Sequence, residues 1–197
     1  MTDALSSELI PVTADADWHF LDQEELIRGE ILLKTQSHSA WGAAVTAWMY
    51  LPVGRSQAWQ GLTDYPRWVQ YFPDLIRSEV LSNKDAQVPA FRVATGSKRK
   101  QLYQVARKAF LFFTAQVEIY LSVFETLHRQ IQFRLESGSF SDFSAELKLQ
   151  DCGNGTLLMY TVRATPLIPV PSVFIQQAIQ LDLPANLRRM RQVLCSI

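Results

Sequence analysis

Apolar and polar residues alternate along most of the chain between residues 76 and 165. The alternation is strict from Gln130 to Glu136, where every second residue is apolar. Because successive side chains of a β-strand point to opposite faces of the sheet, this period predicts strands with one buried and one hydrated face. Turn-forming residues separate the strands, so short links would join them into an antiparallel meander. The predicted strands are residues 30–35, 41–51, 76–82, 88–97, 101–110, 114–124, 130–136, 141–151 and 155–165.

Two short helices are predicted between the second and third strands. Ala58, Trp59 and Leu62 recur at spacings of three and four, which describes one face of a helix. Asp64 then stands where it would cap a second helix, which carries an aromatic cluster and ends at Pro73.

A longer helix is predicted near the C-terminal end, from about residue 172 to 194. Pro169 and Pro171 precede it, and Pro184 lies inside it. Because proline lacks a backbone N–H and its ring clashes with the preceding turn, Pro184 predicts a kink. Strands followed by this helix predict an α+β domain.

The first part of the chain differs in charge from the rest. Residues 1–30 contain eight acidic residues and a single basic one, Arg28. They show no sustained period apart from a short helix near residues 22–27. We interpret residues 1–39 as an acidic N-terminal extension with a short strand, and residues 40–197 as one ligand-binding domain, since a chain of 197 residues suits a single core.

Charge balance and cysteine usage argue against several classes of function. Basic and acidic residues number 19 each, so no basic field exists to attract nucleic acid. Cys152 and Cys195 have no metal-binding spacing and the three histidines are far apart, so we expect no metal, other cofactor or disulfide framework. The sequence begins without the basic and apolar regions of an export signal and lacks a bilayer-spanning apolar run, which predicts a cytoplasmic protein.

Several segments resemble those of a known superfamily. They match an apolar strand ending at proline, a helix with a Val-Trp-type pair, an LTDY-type segment, an SEVL-type strand and a proline-rich entry to the last helix. The chain thereby resembles the START-like superfamily, also called SRPBCC or Bet v 1-like, and within it the polyketide cyclase/coenzyme Q-binding branch, over residues 40–197. The matching segments are residues 51–52 (LP), 58–59 (AW), 62–68 (LTDYPRW), 72–81 (FPDLIRSEVL), 136–140 (ESGSF), 169–171 (PVP) and 183–187 (LPANL).

The resemblance implies a helix-grip fold, in which a curved antiparallel sheet wraps around a long C-terminal helix. It also implies an internal cavity whose entrance is framed by the two short helices. Ala145 and Leu147 stand where this branch often has Gly and Trp. Any ligand contact made by that tryptophan therefore cannot be transferred to this chain.

Eight residues are predicted to bind the ligand, each with ordinary packing or solvation as the alternative. Aromatic residues on the second short helix would act as a gate. Polar tips on strands would hold a carbonyl or hydroxyl if they face the concave side, because an unpaired buried polar group costs about 1–3 kcal/mol. The predicted residues are Trp68, Tyr71, Phe72, Tyr103, Arg107, Phe143, Tyr160 and Phe174.

The favoured function is that of a non-catalytic carrier for a small lipophilic molecule such as a quinone, isoprenoid, pigment or lipid. Two alternatives stay open: a cyclase/aromatase-like lyase, for which no general base stands out, and an interaction module that uses the sheet's outer face at Trp48 and Tyr50. The basic run at residues 98–100, expected in a solvated hairpin loop, would also allow a transient contact with a membrane surface. The sequence leaves the oligomeric state open.

Overall fold

The computed structural model describes residues 23–39, 41–82, 98–109, 114–168, 170 and 172–196. Within this part of the chain, eight strands form one curved antiparallel sheet around a long C-terminal helix, so the predicted α+β fold class is confirmed. The strands are β1 Ile31–Ser39, β2 Gly42–Leu51, β3 Leu75–Ser82, β4 Lys98–Ala109, β5 Thr114–Thr126, β6 Gln130–Gly138, β7 Phe140–Cys152 and β8 Gly155–Pro166. The helices are α1 Gln23–Ile27, α2 Arg55–Thr63, α3 Trp68–Tyr71, α4 Ser172–Gln177 and α5 Leu183–Cys195.

The sheet is a meander with one long-range closure. From β3 to β8 each strand pairs with the next, and β1 pairs with β2, in the spatial order β1-β2-β8-β7-β6-β5-β4-β3. The closure is the antiparallel pairing of β2 with β8, where Val45 lies opposite Val162 and Ala47 opposite Tyr160. The first and last parts of the domain therefore lie side by side in the sheet, next to the edge strand β1.

β1 belongs to this sheet as an edge strand. Ile31 lies opposite Met49 and Lys34 opposite Thr46, so the strand predicted in the acidic extension is hydrogen-bonded to the domain. The first 22 residues of that extension lie outside the described residues, as does the predicted strand at 88–97.

The concave face of the sheet holds the main core. Ile131 and Phe133 of β6 are fully or almost fully buried, while Arg134 between the inward positions is exposed, as the strict alternation predicts. Helices α2, α3 and α5 cover this face with apolar side chains that include Leu62 and Met190. A sheet face and helix faces of this kind remove each other's apolar surface from water.

The second short helix begins differently from the prediction. A 3₁₀ turn, Tyr65–Arg67, leads directly into α3. Asp64 precedes this turn but its side chain makes no capping hydrogen bond. Pro66 lies in the first turn instead, where a residue without an N–H costs no hydrogen bond.

The convex face is covered at one end by α1. Leu26 is fully buried there against Trp48, Leu157 and Met159. Trp48 is 8% exposed, so it is not the open aromatic surface that the interaction-module alternative requires. Its indole N–H is buried without an acceptor among the described residues.

The basic run at residues 98–100 was wrongly expected in a loop, because it lies within β4. The Arg99 guanidinium donates to the Glu136 carboxylate at 2.9 Å, and the Lys100 ammonium donates to Glu125 at 2.7 Å. Glu125 lies on the neighbouring strand β5, whereas Glu136 lies on β6, so the Arg99 side chain reaches across β5. The charges of Arg99 and Lys100 are therefore engaged within the sheet.

The C-terminal helix runs without interruption from Ser172 to Cys195, but its middle is not α-helical. Residues Ala178–Asp182 form a π-helical segment between α4 and α5. Pro184 follows at once, in the first turn of α5, and it is buried. Because a proline removes one helical hydrogen bond and crowds the carbonyl four residues before it, a wider turn at this point accommodates the ring.

Candidate ligand cavity

A cavity of about 430 Å³ lies between the C-terminal helix and the β2–β8 part of the sheet. Its size falls in the usual range for small-molecule sites. Its walls come from β2, β8, the loop after α3 and one side of α4 and α5. The lining residues are Trp41, Ala43, Val45, Phe72, Asp74, Tyr160, Val162, Ala164, Pro166, Val170, Phe174, Ile175, Ala178, Ile179, Asp182, Leu183 and Asn186.

Strand periodicity explains the sheet side of this lining. Tyr160, Val162 and Ala164 are alternate residues of β8, and Ala43 and Val45 are alternate residues of β2. Side chains spaced by two share one face of a sheet. The small side chains of Ala43 and Ala164, which lie opposite each other, leave space that larger side chains would fill.

Tyr160 brings a hydroxyl into this apolar space. Its side chain is 8% exposed and its ring lies 6.4 Å from that of Phe72. Burial raises the pKa of the Tyr160 hydroxyl, and no described residue offers it a hydrogen bond. A neutral hydroxyl without a protein partner is a group that a ligand can satisfy.

The predicted aromatic gate is divided between core and cavity. Trp68 donates its indole N–H to the Leu62 carbonyl at 2.9 Å, and Tyr71 donates its hydroxyl to the Gly61 carbonyl at 2.8 Å. Burial also raises the pKa of Tyr71 to about 12. These two side chains anchor α3 to α2, and only Phe72 lines the cavity.

Tyr103 and Arg107 lie on the convex face, away from the cavity. The Tyr103 hydroxyl donates to the Glu118 carboxylate at 3.1 Å, and its ring stacks on Tyr120 at 4.7 Å. The Arg107 guanidinium donates to the Gln116 side-chain carbonyl at 3.0 Å in an exposed position. The inward orientation that their predicted role requires is therefore not the one in the structure.

The two remaining predicted phenylalanines occupy different surroundings. Phe174, on α4, lines the cavity. Phe143 packs beside Phe140, with ring centroids 5.5 Å apart, against the main core. Of the eight predicted residues, the structure brings Phe72, Tyr160 and Phe174 together at the cavity.

Sequence reasoning missed three polar residues of the lining. Asp74 belongs to the turn before β3, and Asp182 and Asn186 lie four residues apart on the C-terminal helix. That spacing alone places the latter two on one helix face. The signal was present, but the sequence did not show that this face meets a cavity rather than solvent.

Large apolar side chains next to the cavity are exposed. Trp41 is 43% exposed, Leu167 60%, Ile168 77% and Leu181 65%. Trp41 itself lines the cavity, and the other three adjoin the lining residues Pro166 and Asp182 in sequence. We call these four residues the apolar rim.

A family model describes most of this domain. Residues 51–191 match the family described as "Polyketide cyclase / dehydrase and lipid transport". The chain belongs to this family. No curated protein sequence matches it significantly.

Solved structures with the same fold share little sequence with this family member. A START superfamily protein from Mycobacterium smegmatis has a TM-score of 0.56 and 15% identity, over 78% of this chain and 94% of its own. A STAR-related lipid transfer protein from Xanthomonas axonopodis has a TM-score of 0.56 and 13% identity, over 82% and 98%. The Zhui aromatase/cyclase of a Streptomyces species has a TM-score of 0.52 and 12% identity, over 79% and 92%.

Two features of the described part of this polyketide cyclase/lipid transport family member concern metals and membranes. Among the described residues, no three His, Cys, Asp or Glu side chains are grouped so as to hold a metal ion. No described helix is both long enough and apolar enough to cross a bilayer.

Proposed function

We propose that this protein binds a small, largely apolar organic molecule in the cavity and carries it without changing it. The observation that supports this proposal is the Tyr160 hydroxyl, which lines a mostly apolar cavity and has no hydrogen-bond partner among the described residues. Burial of apolar ligand surface would supply most of the affinity, at about 2.5 kcal/mol for each 100 Å². A hydrogen bond to Tyr160 would orient the ligand.

The direct test is native mass spectrometry of freshly purified protein, followed by solvent extraction and identification of what is released. We expect a stoichiometric adduct whose mass corresponds to a lipophilic molecule with a hydroxyl or carbonyl group. Protein stripped of this molecule should rebind it and gain thermal stability that rises with the logarithm of ligand concentration above the Kd. A protein that is empty when purified and takes up no lipophilic molecule would contradict the proposal.

A second candidate is catalysis of ring closure, as a cyclase/aromatase-like lyase. It is favoured by the polar groups of Asp74, Tyr160, Asp182 and Asn186, which all line the same cavity. Carboxylates and a hydroxyl could move a proton to and from a bound polyketone. Incubation with a linear polyketone, followed by mass analysis of the products, distinguishes the two, because a carrier returns the polyketone unchanged.

The apolar rim supports loading of the ligand at a membrane surface. Leu167, Ile168 and Leu181 could enter the outer part of a bilayer, beside the cavity that receives the ligand. Apolar burial would then replace the electrostatic contact expected from the basic run in β4. A cytoplasmic location is part of this proposal, because Cys152 and Cys195 are both free thiols.

A further inference from the structure

The convex face of the sheet also carries a pocket, and its polar lining contrasts with that of the ligand cavity. Its volume is about 240 Å³. Successive residues of β8 show that the two sites are separate, because Val162 lines the cavity and Arg163 lines this pocket on the other face. We call it the convex pocket. Its polar lining residues are Gln132, Arg134, Ser144, Glu146, Thr161 and Arg163.

Strand register places two arginines of the convex pocket on either side of a serine. Arg134 of β6 lies opposite Ser144 of β7, and Ser144 lies opposite Arg163 of β8. Because neighbouring strands are about 4.8 Å apart, the two arginine Cα atoms are separated by about 10 Å, with Ser144 midway. An arginine side chain is long enough to cover half of that separation. Both guanidinium groups can therefore reach one small anion above Ser144.

The donors of these three side chains are available to a ligand. Arg134 and Arg163 are exposed and Ser144 is half-buried. Within the part of the chain that the structure describes, none of the three side chains makes a hydrogen bond or an ion pair. The Arg134 guanidinium lies over the Phe124 ring, with its central carbon 5.4 Å from the ring centroid. This contact favours one position of the guanidinium and leaves its N–H donors free.

The carboxylates nearest to this row of residues have other partners. The Asp142 carboxylate lies 2.7 Å from a ring nitrogen of His38. The Glu146 carboxylate accepts hydrogen bonds from the side-chain amides of Gln130 and Gln132. Neither carboxylate forms an ion pair with the arginines of the convex pocket. Glu146 does line the pocket, so its negative charge should weaken the binding of an anion there.

We propose that the convex pocket binds a phosphate group, either as inorganic phosphate or as a phosphate monoester. Two guanidinium groups and a hydroxyl suit an anion that carries up to two charges and at least three acceptor oxygens. A carboxylate has one charge and two oxygens, so it would satisfy fewer of these donors. The site lies outside the ligand cavity, and the proposal does not depend on the carrier function.

The test is a titration of the protein with inorganic phosphate at constant ionic strength, followed by NMR of the backbone amides in the convex pocket. We expect saturable shifts at Ser144 and Arg163 with a Kd of about 1 mM, because exposed charge pairs are individually weak. Acetate should bind at least about fivefold more weakly. Shifts that rise without saturating, or equal binding of acetate, would overturn the proposal.

Single substitutions should change the phosphate affinity in opposite directions. Arg134→Gln and Arg163→Gln should each raise the Kd at least about fivefold. Glu146→Gln should lower the Kd about two- to fivefold, since it removes a like charge from the pocket wall. The matched control is Arg188→Gln, because Arg188 is an exposed arginine of α5 that lines neither the cavity nor the convex pocket. An effect of Arg188→Gln as large as that of Arg163→Gln would show that overall charge governs binding and would overturn the proposal.

Two further probes distinguish the possible sources of the phosphate group. Glycerol 3-phosphate represents a soluble monoester, and phosphatidylcholine vesicles that contain phosphatidic acid present the same group on a lipid. Saturable binding of glycerol 3-phosphate without flotation on the vesicles would support a soluble ligand. Flotation that Arg163→Gln abolishes would support a lipid head group. Binding of neither probe, together with no saturation by inorganic phosphate, would contradict a phosphate site.

Discussion

At the scale of single residues, two tyrosines show how one strand period assigns opposite roles. Tyr160 and Tyr103 were equal candidates in the sequence, each a polar tip in a predicted strand. In the structure, Tyr160 faces the cavity and has no hydrogen-bond partner within the described part of the chain, while Tyr103 faces outward and donates to Glu118. The two side chains differ because Tyr160 lies on the concave face of the sheet and Tyr103 lies on the convex face.

Replacement of Tyr160 by Phe should weaken the binding of ligands that carry a hydroxyl or carbonyl by about three- to tenfold, since one hydrogen bond is worth about 1 kcal/mol. Binding of a hydrocarbon of similar shape should not change. Tyr103→Phe is the control, and isothermal titration of both variants makes the comparison. Equal loss in the two variants would argue against a contact between Tyr160 and the ligand.

Gly138 ends β6 in a conformation that side chains avoid. Its φ is 136°, and a Cβ at this position would overlap the backbone carbonyl of Glu118 on β5. Gly138→Ala should therefore lower the free energy of unfolding by at least about 2 kcal/mol, which urea denaturation measures. Gly54→Ala, where nothing lies within 4 Å, should cost less than about 1 kcal/mol.

At the scale of elements, α3 joins the core to the cavity. Trp68 packs on Phe133 with ring centroids 5.2 Å apart and is buried, whereas Phe72 lies half-buried at the cavity. The helix thus carries a structural anchor, and the residue that follows it carries a ligand-facing ring. Its aromatic cluster alone did not distinguish these roles, because both require large apolar side chains.

Substitution by leucine should separate the two roles. Trp68→Leu should cost about 2–4 kcal/mol of stability, because it leaves a void and an unpaired Leu62 carbonyl. Phe72→Leu should cost less than about 1.5 kcal/mol but change ligand affinity. Thermal denaturation and dye titration of both proteins test this, and a ligand effect without a stability loss in Trp68→Leu would reverse the assignment.

The order of elements could be predicted from the sequence, but not which face of each element meets the core, the cavity or solvent. Period two located β6 and its buried residues, and helical spacing located α2. The role of Arg99 was not predictable, since a run of three basic residues suggests a loop until the order of strands brings Arg99 close to Glu136, two strands away. Asp182 and Asn186 were likewise on a predicted helix, but only the packed structure shows that their face meets a cavity.

At the scale of the whole molecule, the cavity and the apolar rim belong to the same part of the domain. The four residues of the apolar rim adjoin the lining, and the lining includes Asp74 and Asp182 but no described basic residue. Contact with a bilayer would therefore depend on apolar burial rather than on attraction to anionic lipid.

The rate at which ligand moves between protein and vesicles should therefore depend on the apolar rim and not on anionic lipid. The double variant Leu167→Ser, Ile168→Ser should slow transfer to phosphatidylcholine vesicles severalfold but leave the affinity for free ligand unchanged. Adding phosphatidylserine to the vesicles should not speed transfer by the wild-type protein. A marked acceleration by phosphatidylserine, measured as ligand fluorescence over time, would point instead to basic residues as the contact.

The pairing of β2 with β8 also bears on how the chain reaches its folded state. Ala43 and Val45 on one strand meet Ala164 and Val162 on the other, more than a hundred residues later in sequence. Contacts between such distant segments close long loops and form slowly. During synthesis, this wall cannot assemble until β8 has left the ribosome, so the binding site should be among the last parts of the domain to form.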